Sequence, residues 1–339
     1  MVTGKGGMRM YNIKTASIDI TYRCNLRCKH CFNFSGVPRK QEMTDEELRK
    51  LAKDLSKLNI DSICLCGGET LYRYELVCEI SSIIKKNSPQ TLVNIVTNGI
   101  LLTKEKAMRL KNSGIHMVQI SLDGFTDESY DAVRQSNGCL SKVFEGIINA
   151  KESGLEVSIA TLPHKKSLNE FEKIIDYCHD NGLYELRAQP LMPLGRGKEN
   201  YMELALSSEE YEELKNIFKK KDFELKNKSS RTEINWGDPV DHYFMLQEVD
   251  YLPFLTINAY GEIEITPYLP FTIWDLKEEG LPEFIEKRIP EKVLAHPLIK
   301  KYISRVYSIE DMYYPDRELP RMYLEDNLNL MREIEEMRV

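Results

Sequence analysis

The sequence predicts an α/β fold: an open, partial (β/α)6 barrel followed by a smaller α+β extension. Three observations carry this. Over roughly the first 200 residues, short β-branched runs alternate six times with segments of helical periodicity, the pattern of parallel strands covered by helices. Six such units are too few for a closed eight-fold barrel, so the barrel is expected to be open. Beyond "PLMPLGRGKEN" (190–200) the alternation stops, and a charged helix, a hairpin and an amphipathic tail follow. A chain of 339 residues exceeds what one core usually fills, and the expected division is 1–200 for the barrel and 201–339 for the extension.

Each element has its own signal. "ASIDIT" (16–21) alternates and is β-branched, which predicts the first strand. In "MTDEELRKLAKDLSKL" (43–58), Thr44 and Glu47 form a capping box and the leucines recur at helical spacing. "DSICLC" (61–66) predicts the second strand, ended by Gly67 and Gly68, with a helix over 73–86. "TLVNIVT" (91–97) and the helix 103–112 make the third unit, and "HMVQISL" (116–122) the fourth strand, with helices near 128–134 and 141–152. "EVSIAT" (156–161) and the helix 167–181 form the fifth unit, and "YELRAQ" (184–189) is the sixth strand. Residues 190–200 read as a linker, and 207–221 as a charged helix. "FLTINAYGEIEIT" (254–266) is two alternating runs meeting at Tyr260-Gly261, a β-hairpin signature. The last 60 or so residues read as amphipathic helices. Within them, tyrosine-rich 296–324 is expected to pack over the barrel.

Composition excludes several classes. The net charge of −7 argues against a duplex nucleic-acid partner, which selects basic surfaces. No apolar run approaches the ~18 residues of a membrane span, and the first residues lack the apolar core of a signal peptide. A cytoplasmic protein with reduced thiols is expected. Few residues precede the first strand, and none suggests a separate leader-binding domain.

All eight cysteines lie at or before Cys178. Three of them, Cys24, Cys28 and Cys31, sit in one loop after the first strand, "CNLRCKHC". A structural zinc site wants four ligands, usually in two separated pairs, and no second pair follows. Three thiolates suit a cubane iron–sulfur cluster with one iron left open for an exchangeable ligand. In parallel α/β folds chemistry gathers at the carboxyl ends of the strands, where this loop begins.

With these residues the sequence resembles the radical S-adenosylmethionine enzymes, whose signature is C-x3-C-x2-C after the first strand of a partial TIM-like barrel. The resemblance implies one 4Fe–4S cluster on Cys24, Cys28 and Cys31. It also implies that S-adenosyl-L-methionine is chelated at the open iron and cleaved by one electron to a hydrogen-abstracting 5′-deoxyadenosyl radical. His30 stands where the family often places an aromatic residue against the adenine. In "CGGET" (66–70), the resemblance assigns the methionine amino group to Gly67, Gly68 and Glu69. "TNG" (97–99) and "SLDG" (121–124) match family strand ends. They offer Thr97 and Asn98 as cofactor contacts, and Ser121 and Asp123 as partners of the ribose or methionine part. Arg134 matches an arginine that often pairs with the cofactor carboxylate, for which a guanidinium is suited. Read alone, each of these has a plain alternative: a turn for the glycines and Asn98, a solvated helix end for Arg134.

Cys66 and Arg187 are the candidates for substrate chemistry, Cys66 beside the glycines at a strand end and Arg187 turned into the barrel mouth if alternation holds. Cys64, Cys78, Cys139 and Cys178 read as small hydrophobes. The hairpin resembles the start of a SPASM or twitch extension, yet "EITPYLPFTIWDL" (264–276) lacks every auxiliary-cluster cysteine. A degenerate, twitch-like extension without a cluster is therefore expected. The function expected is radical modification of a ribosomally made peptide, with a small metabolite or cofactor precursor as the alternative substrate. Flavodoxin or ferredoxin is the expected reductant, and a zinc-binding interaction module is the non-enzymatic alternative.

Overall fold

The computed structural model describes residues 13–313, 319 and 327–338. The expected strand–helix alternation is present: β1 (Thr15–Thr21), α1 (Asp45–Leu55), β2 (Ser62–Gly67), α2 (Tyr74–Asn87), β3 (Leu92–Thr97), α3 (Lys104–Asn112), β4 (Met117–Ser121), α4 (Asp127–Arg134), α5 (Leu140–Glu152), β5 (Glu156–Thr161), α6 (Phe171–Asp180) and β6 (Glu185–Ala188). Local chemistry sets the helix starts. Thr44 and Glu47 close the predicted capping box on α1, and Thr126 with Ser129 makes a second on α4.

β1 through β6 pair in parallel in sequence order. Their outward side chains, among them Ile18, Ile63, Val93, Ile95, Val118 and Ile159, are buried with the helices in one core. The inward faces are polar. Gln119 donates to Ser158, Ser158 to Glu185, and Asn235 to Glu185, so hydrogen bonds run across neighbouring strands of the trough. Period-2 alternation thus separates a dry face from a wetted one.

The structure differs from the expected organisation beyond residue 190. The stretch read as a linker contains α7 (Gly195–Glu199) and leads into α8 (Tyr201–Leu204) and α9 (Ser208–Asn227). A seventh parallel strand, β7 (Glu233–Trp236), extends the barrel sheet on β6 and is followed by α10 (Val240–Glu248). β8 (Phe254–Ile257) and β9 (Glu262–Glu264) form the predicted hairpin, with Thr256 opposite Glu264. β8 also pairs in parallel with β1, so the hairpin continues the barrel sheet. The tail adds β10 (Phe271–Asp275), α11 (Leu281–Glu286), α12 (Ile289–Lys292), α13 (Pro297–Ile303), β11 (Leu328–Asn329) and α14 (Met331–Glu336). The strand order is β11-β10-β9-β8-β1-β2-β3-β4-β5-β6-β7, a single sheet with no break at residue 200. The tyrosine-rich stretch 296–324 lies partly outside the described residues. No described helix is long and apolar enough to cross a membrane.

Candidate active site

The cysteine loop leaves the carboxyl end of β1 and folds back on itself: Cys24 N–H donates to the Gly36 carbonyl (3.2 Å) and Gly36 N–H to the Tyr22 carbonyl (2.8 Å). The segment expected to be a linker clamps this loop. Arg196 N–H donates to the Cys31 carbonyl (3.0 Å), Arg196 Nε to the Cys28 carbonyl (2.8 Å), and Asn200 Nδ2 to the Lys29 carbonyl (3.2 Å). The approach requires glycine at 195. Its φ is +52°, and a Cβ there would stand 2.3 Å from the Phe32 carbonyl oxygen.

The three sulfurs have different neighbours. Leu26 N–H donates to Cys24 Sγ (3.4 Å) and Ser35 N–H to Cys31 Sγ (3.3 Å), while an Arg134 guanidinium nitrogen lies 3.8 Å from Cys28 Sγ. Burial pushes the Cys24 thiol up to about 12 and raises Cys28 as well. Without metal, burial thus favours the thiol at Cys24 and Cys28, and a cationic iron centre would favour thiolate. Among the described residues no three His, Cys, Asp or Glu side chains converge on a single-ion site. A cubane, whose thiolates bind different irons, does not ask for such convergence. Three sulfurs on one loop, two of them receiving backbone N–H bonds, are a donor set that fits a 4Fe–4S cluster held at three corners.

Several expected cofactor contacts are hydrogen-bonded within the protein. Glu69, expected to face an ammonium group, is fully buried. Its Oε1 accepts from Leu71 N–H (2.9 Å) and the Thr97 hydroxyl (2.7 Å), and its Oε2 from Asn98 N–H (2.9 Å). The carboxylate ties the end of β2 to the end of β3. Burial raises its pKa, and these donors oppose the rise. Asn98 in turn donates through Nδ2 to Asn25 Oδ1 in the cysteine loop (2.8 Å). Thr97 and Asn98 therefore brace the loop through side-chain bonds of their own. Gly67 has φ +129° and lies against the Thr21 carbonyl, while Gly68 N–H donates to that carbonyl (2.7 Å).

Arg134 and Asp123, expected as cofactor contacts, also bond to each other, and Arg134 is not the solvated helix end of the plain alternative. Arg134 Nε meets Asp123 Oδ2 at 2.5 Å, and Asp123 Oδ1 accepts from Leu162 N–H (2.8 Å). Burial alone would raise the Asp123 carboxyl; Arg134 chiefly, with His30 and Leu162 N–H, outweighs it and holds the group below the usual range. The pair sits under Cys28 as an internal ion pair, so Arg134 already has a carboxylate. His30 also turns inward, with Nε2 3.5 Å from Asp123 Oδ2. Burial pushes its imidazole down to about 3, and its Nδ1 is buried without a partner among the described residues. Ser121 is buried at the end of β4.

The trough beneath the loop holds residues the sequence did not single out. Asp19 stands opposite Cys66 in the β1–β2 register; burial raises its carboxyl to about 7 against a hydrogen bond from Tyr22. Cys64 is not a hydrophobe in the core. It shares the inner face with Cys66, their sulfurs 3.3 Å apart. Arg187 reaches the open trough as alternation predicted, its guanidinium against the backbone of Gly237. Tyr268 and His242, rings 5.1 Å apart, close the far side, and Phe32 of the cysteine loop packs on Tyr268 at 6.0 Å. Period-2 alternation could have found Asp19 and Cys64. No local signal brings α10 and 266–268 over the trough.

Fold and loop define a class first: a parallel partial barrel with a three-cysteine loop at the carboxyl end of β1, a donor set that fits an iron–sulfur centre. The family follows. Residues 18–178 match the Radical SAM superfamily model, and the chain carries a radical SAM domain. Proteins of this superfamily bind a 4Fe–4S cluster and S-adenosylmethionine. Over 173 residues the chain is 33% identical to the probable GTP 3′,8-cyclase of Methanocella arvoryzae, covering 50% of this chain and 55% of that protein. It is 35% identical over 185 residues to the GTP 3′,8-cyclase of Peptoclostridium acidaminophilum, covering 53% and 56%. It is 28% identical over 180 residues to the Fe-coproporphyrin III synthase of Methanosarcina barkeri, covering 53% and 44%. The chain thus spans about half the length of the curated relatives it matches. Among solved structures, Streptococcus suis SuiB bound to S-adenosylmethionine matches with TM-score 0.66 at 15% identity, covering 91% of this chain and 77% of that one. AnSMEcpe with bound AdoMet matches with TM-score 0.63 at 18% identity, covering 93% of each chain.

Proposed function

We propose that this chain is a radical S-adenosylmethionine enzyme that abstracts hydrogen from a small metabolite or cofactor precursor lying in the barrel trough. The carrying observation is the three-cysteine loop clamped over the polar inner face of the sheet. Cys24, Cys28 and Cys31 would hold one 4Fe–4S cluster. When bound, cluster and S-adenosylmethionine supply reductive cleavage to a 5′-deoxyadenosyl radical. The chain's own residues do the rest. The Arg134 guanidinium donates toward Cys28 Sγ and favours its thiolate. Asp123 keeps Arg134 in place and balances its charge. His30, Gly67, Gly68, Ser121 and the backbone around Glu69 remain the proposed cofactor contacts, while Arg187 offers a cation to an anionic substrate group. Phe32, Tyr268 and His242 exclude water from the trough.

The relatives at 33–35% identity are named as cyclases of GTP, a small molecule, which supports this substrate class over the peptide expected from sequence. Peptide modification stands as a second reading. It is favoured by the likeness of fold, extending beyond residue 200, to SuiB and anSMEcpe, both of which have been solved with bound peptides. We further propose a small electron carrier such as flavodoxin or ferredoxin as the reductant, and a cytoplasmic site of action.

The test is anaerobic reconstitution. Roughly four irons and four sulfides per chain are expected, with 5′-deoxyadenosine formed on reduction with dithionite. One zinc and no iron per chain overturns the proposal. Turnover of nucleotides or tetrapyrroles against short peptides then separates the two readings.

A further inference from the structure

We propose that Cys64 and Cys66 form a dithiol in the trough that donates a hydrogen atom to the substrate radical and closes to a disulfide in doing so. The proposal rests on the radical reading above and adds the source of the returning hydrogen.

Four observations carry it. The two cysteines alternate on β2 with Ile63 and Leu65, which are fully buried under the helices, so both thiols face the polar trough. Their sulfurs are 3.3 Å apart, and Ser17 on β1 donates to Cys66 Sγ at 3.7 Å. The pair adjoins the cysteine loop. Cys66 precedes Gly67, whose carbonyl accepts from Asn33 Nδ2 (3.3 Å), and Asn33 Oδ1 accepts from Cys31 Sγ (3.0 Å). Finally, no cysteine follows Cys178 in the sequence. Any thiol that returns hydrogen to a substrate radical therefore comes from the barrel part of the chain, and these two face its trough beside the loop. Both the hydrogen bond to Cys64 and burial keep the Cys66 thiol protonated, and S–H is the form that gives up a hydrogen atom.

The chemistry balances. The substrate radical takes a hydrogen atom from Cys66, forming C–H, breaking S–H and leaving a thiyl radical. Cys64 Sγ bonds to that sulfur, and its proton passes to Asp19, the carboxylate opposite Cys66 in the strand register. The disulfide radical anion so formed must lose one electron, and an iron–sulfur centre held by Cys24, Cys28 and Cys31 would be the acceptor, regaining the electron that reductive cleavage of S-adenosylmethionine would use. One disulfide remains, and a dithiol reductant of the thioredoxin class restores both thiols. Two residues along a strand are about 6.6 Å apart, near the upper limit a disulfide spans, so the bond is readily reduced.

Two measurements test this. In the first, reconstituted protein is given S-adenosylmethionine and dithionite in D2O without substrate, and the 5′-deoxyadenosine is analysed by mass spectrometry. A thiol within reach exchanges to S–D, so the wild type is expected to yield mostly singly deuterated product. Cys66→Ser should lower the deuterated fraction at least tenfold, and Cys139→Ser should leave it at the wild-type value. In the second, cluster-loaded protein is equilibrated anaerobically with oxidised glutathione, alkylated and digested. A Cys64–Cys66 linkage, two hydrogens lighter than the dithiol peptide, is expected in the wild type and absent in Cys64→Ser. Product without deuterium, deuterium that persists in Cys66→Ser, or two thiols that stay alkylatable overturns the dithiol while leaving the radical reading standing. No 5′-deoxyadenosine from any version overturns both.

Discussion

Glu69 is a fully buried carboxylate with three donors aimed at two oxygens. Glutamine would turn an amide NH2 toward one of those donors, leaving buried groups unpaired at a cost of about 1–3 kcal/mol. Glu69→Gln is therefore expected to lower the urea midpoint even in cluster-free protein; an unshifted midpoint with weakened S-adenosylmethionine binding would assign Glu69 the ligand role alone. The Asp123–Arg134 pair is costlier to break. Asp123→Asn strands a buried guanidinium, with an expected loss of about 3–5 kcal/mol. His242 carries a pH dependence. Burial chiefly, aided by Arg187 and opposed by Asp241, pushes its imidazole down to about 4, below the unfolded value near 6.5. Between those values the unfolded chain binds the extra proton, so stability falls as pH drops from about 6.5 to about 4. His242→Asn should flatten that stretch in urea titrations at pH 7, 5.5 and 4.5, and an unchanged slope would assign it elsewhere.

α7 and the cysteine loop act as one unit, because the loop's carbonyls find donors on Arg196 and Asn200. Ala at 195 would drive its Cβ into the Phe32 carbonyl and force strain at positive φ. Gly195→Ala should let reconstituted protein lose iron to a chelator several-fold faster. Equal release rates would show that the clamp is not what retains the centre. α1 makes the contrast: its start is set by a capping box spanning four residues and was legible without any tertiary partner.

At the scale of the molecule, β8 covers an edge of β1 that would otherwise expose Thr15–Ile18 to any passing strand. A chain ended at Asp250 is expected to associate through that edge, seen as a shift to larger species in size-exclusion chromatography. A monodisperse monomer would mean the barrel closes its edge alone. The same pairing joins the expected extension to the barrel in one sheet.

Strand alternation, helical period, capping residues and the three-cysteine spacing are local patterns. By themselves they determined the strand–helix order, the cysteine loop and the family it resembles. Contacts between residues distant in the chain were decided only by the tertiary structure. It turned the supposed linker into a clamp, gave Asp123 to Arg134 and Glu69 to the β3 end, and set Asp19 opposite Cys66. The physical reason is that a charged or polar side chain declares in sequence only that it needs a partner. Which partner it takes depends on what burial brings within about 3 Å, and no spacing along the chain encodes that distance.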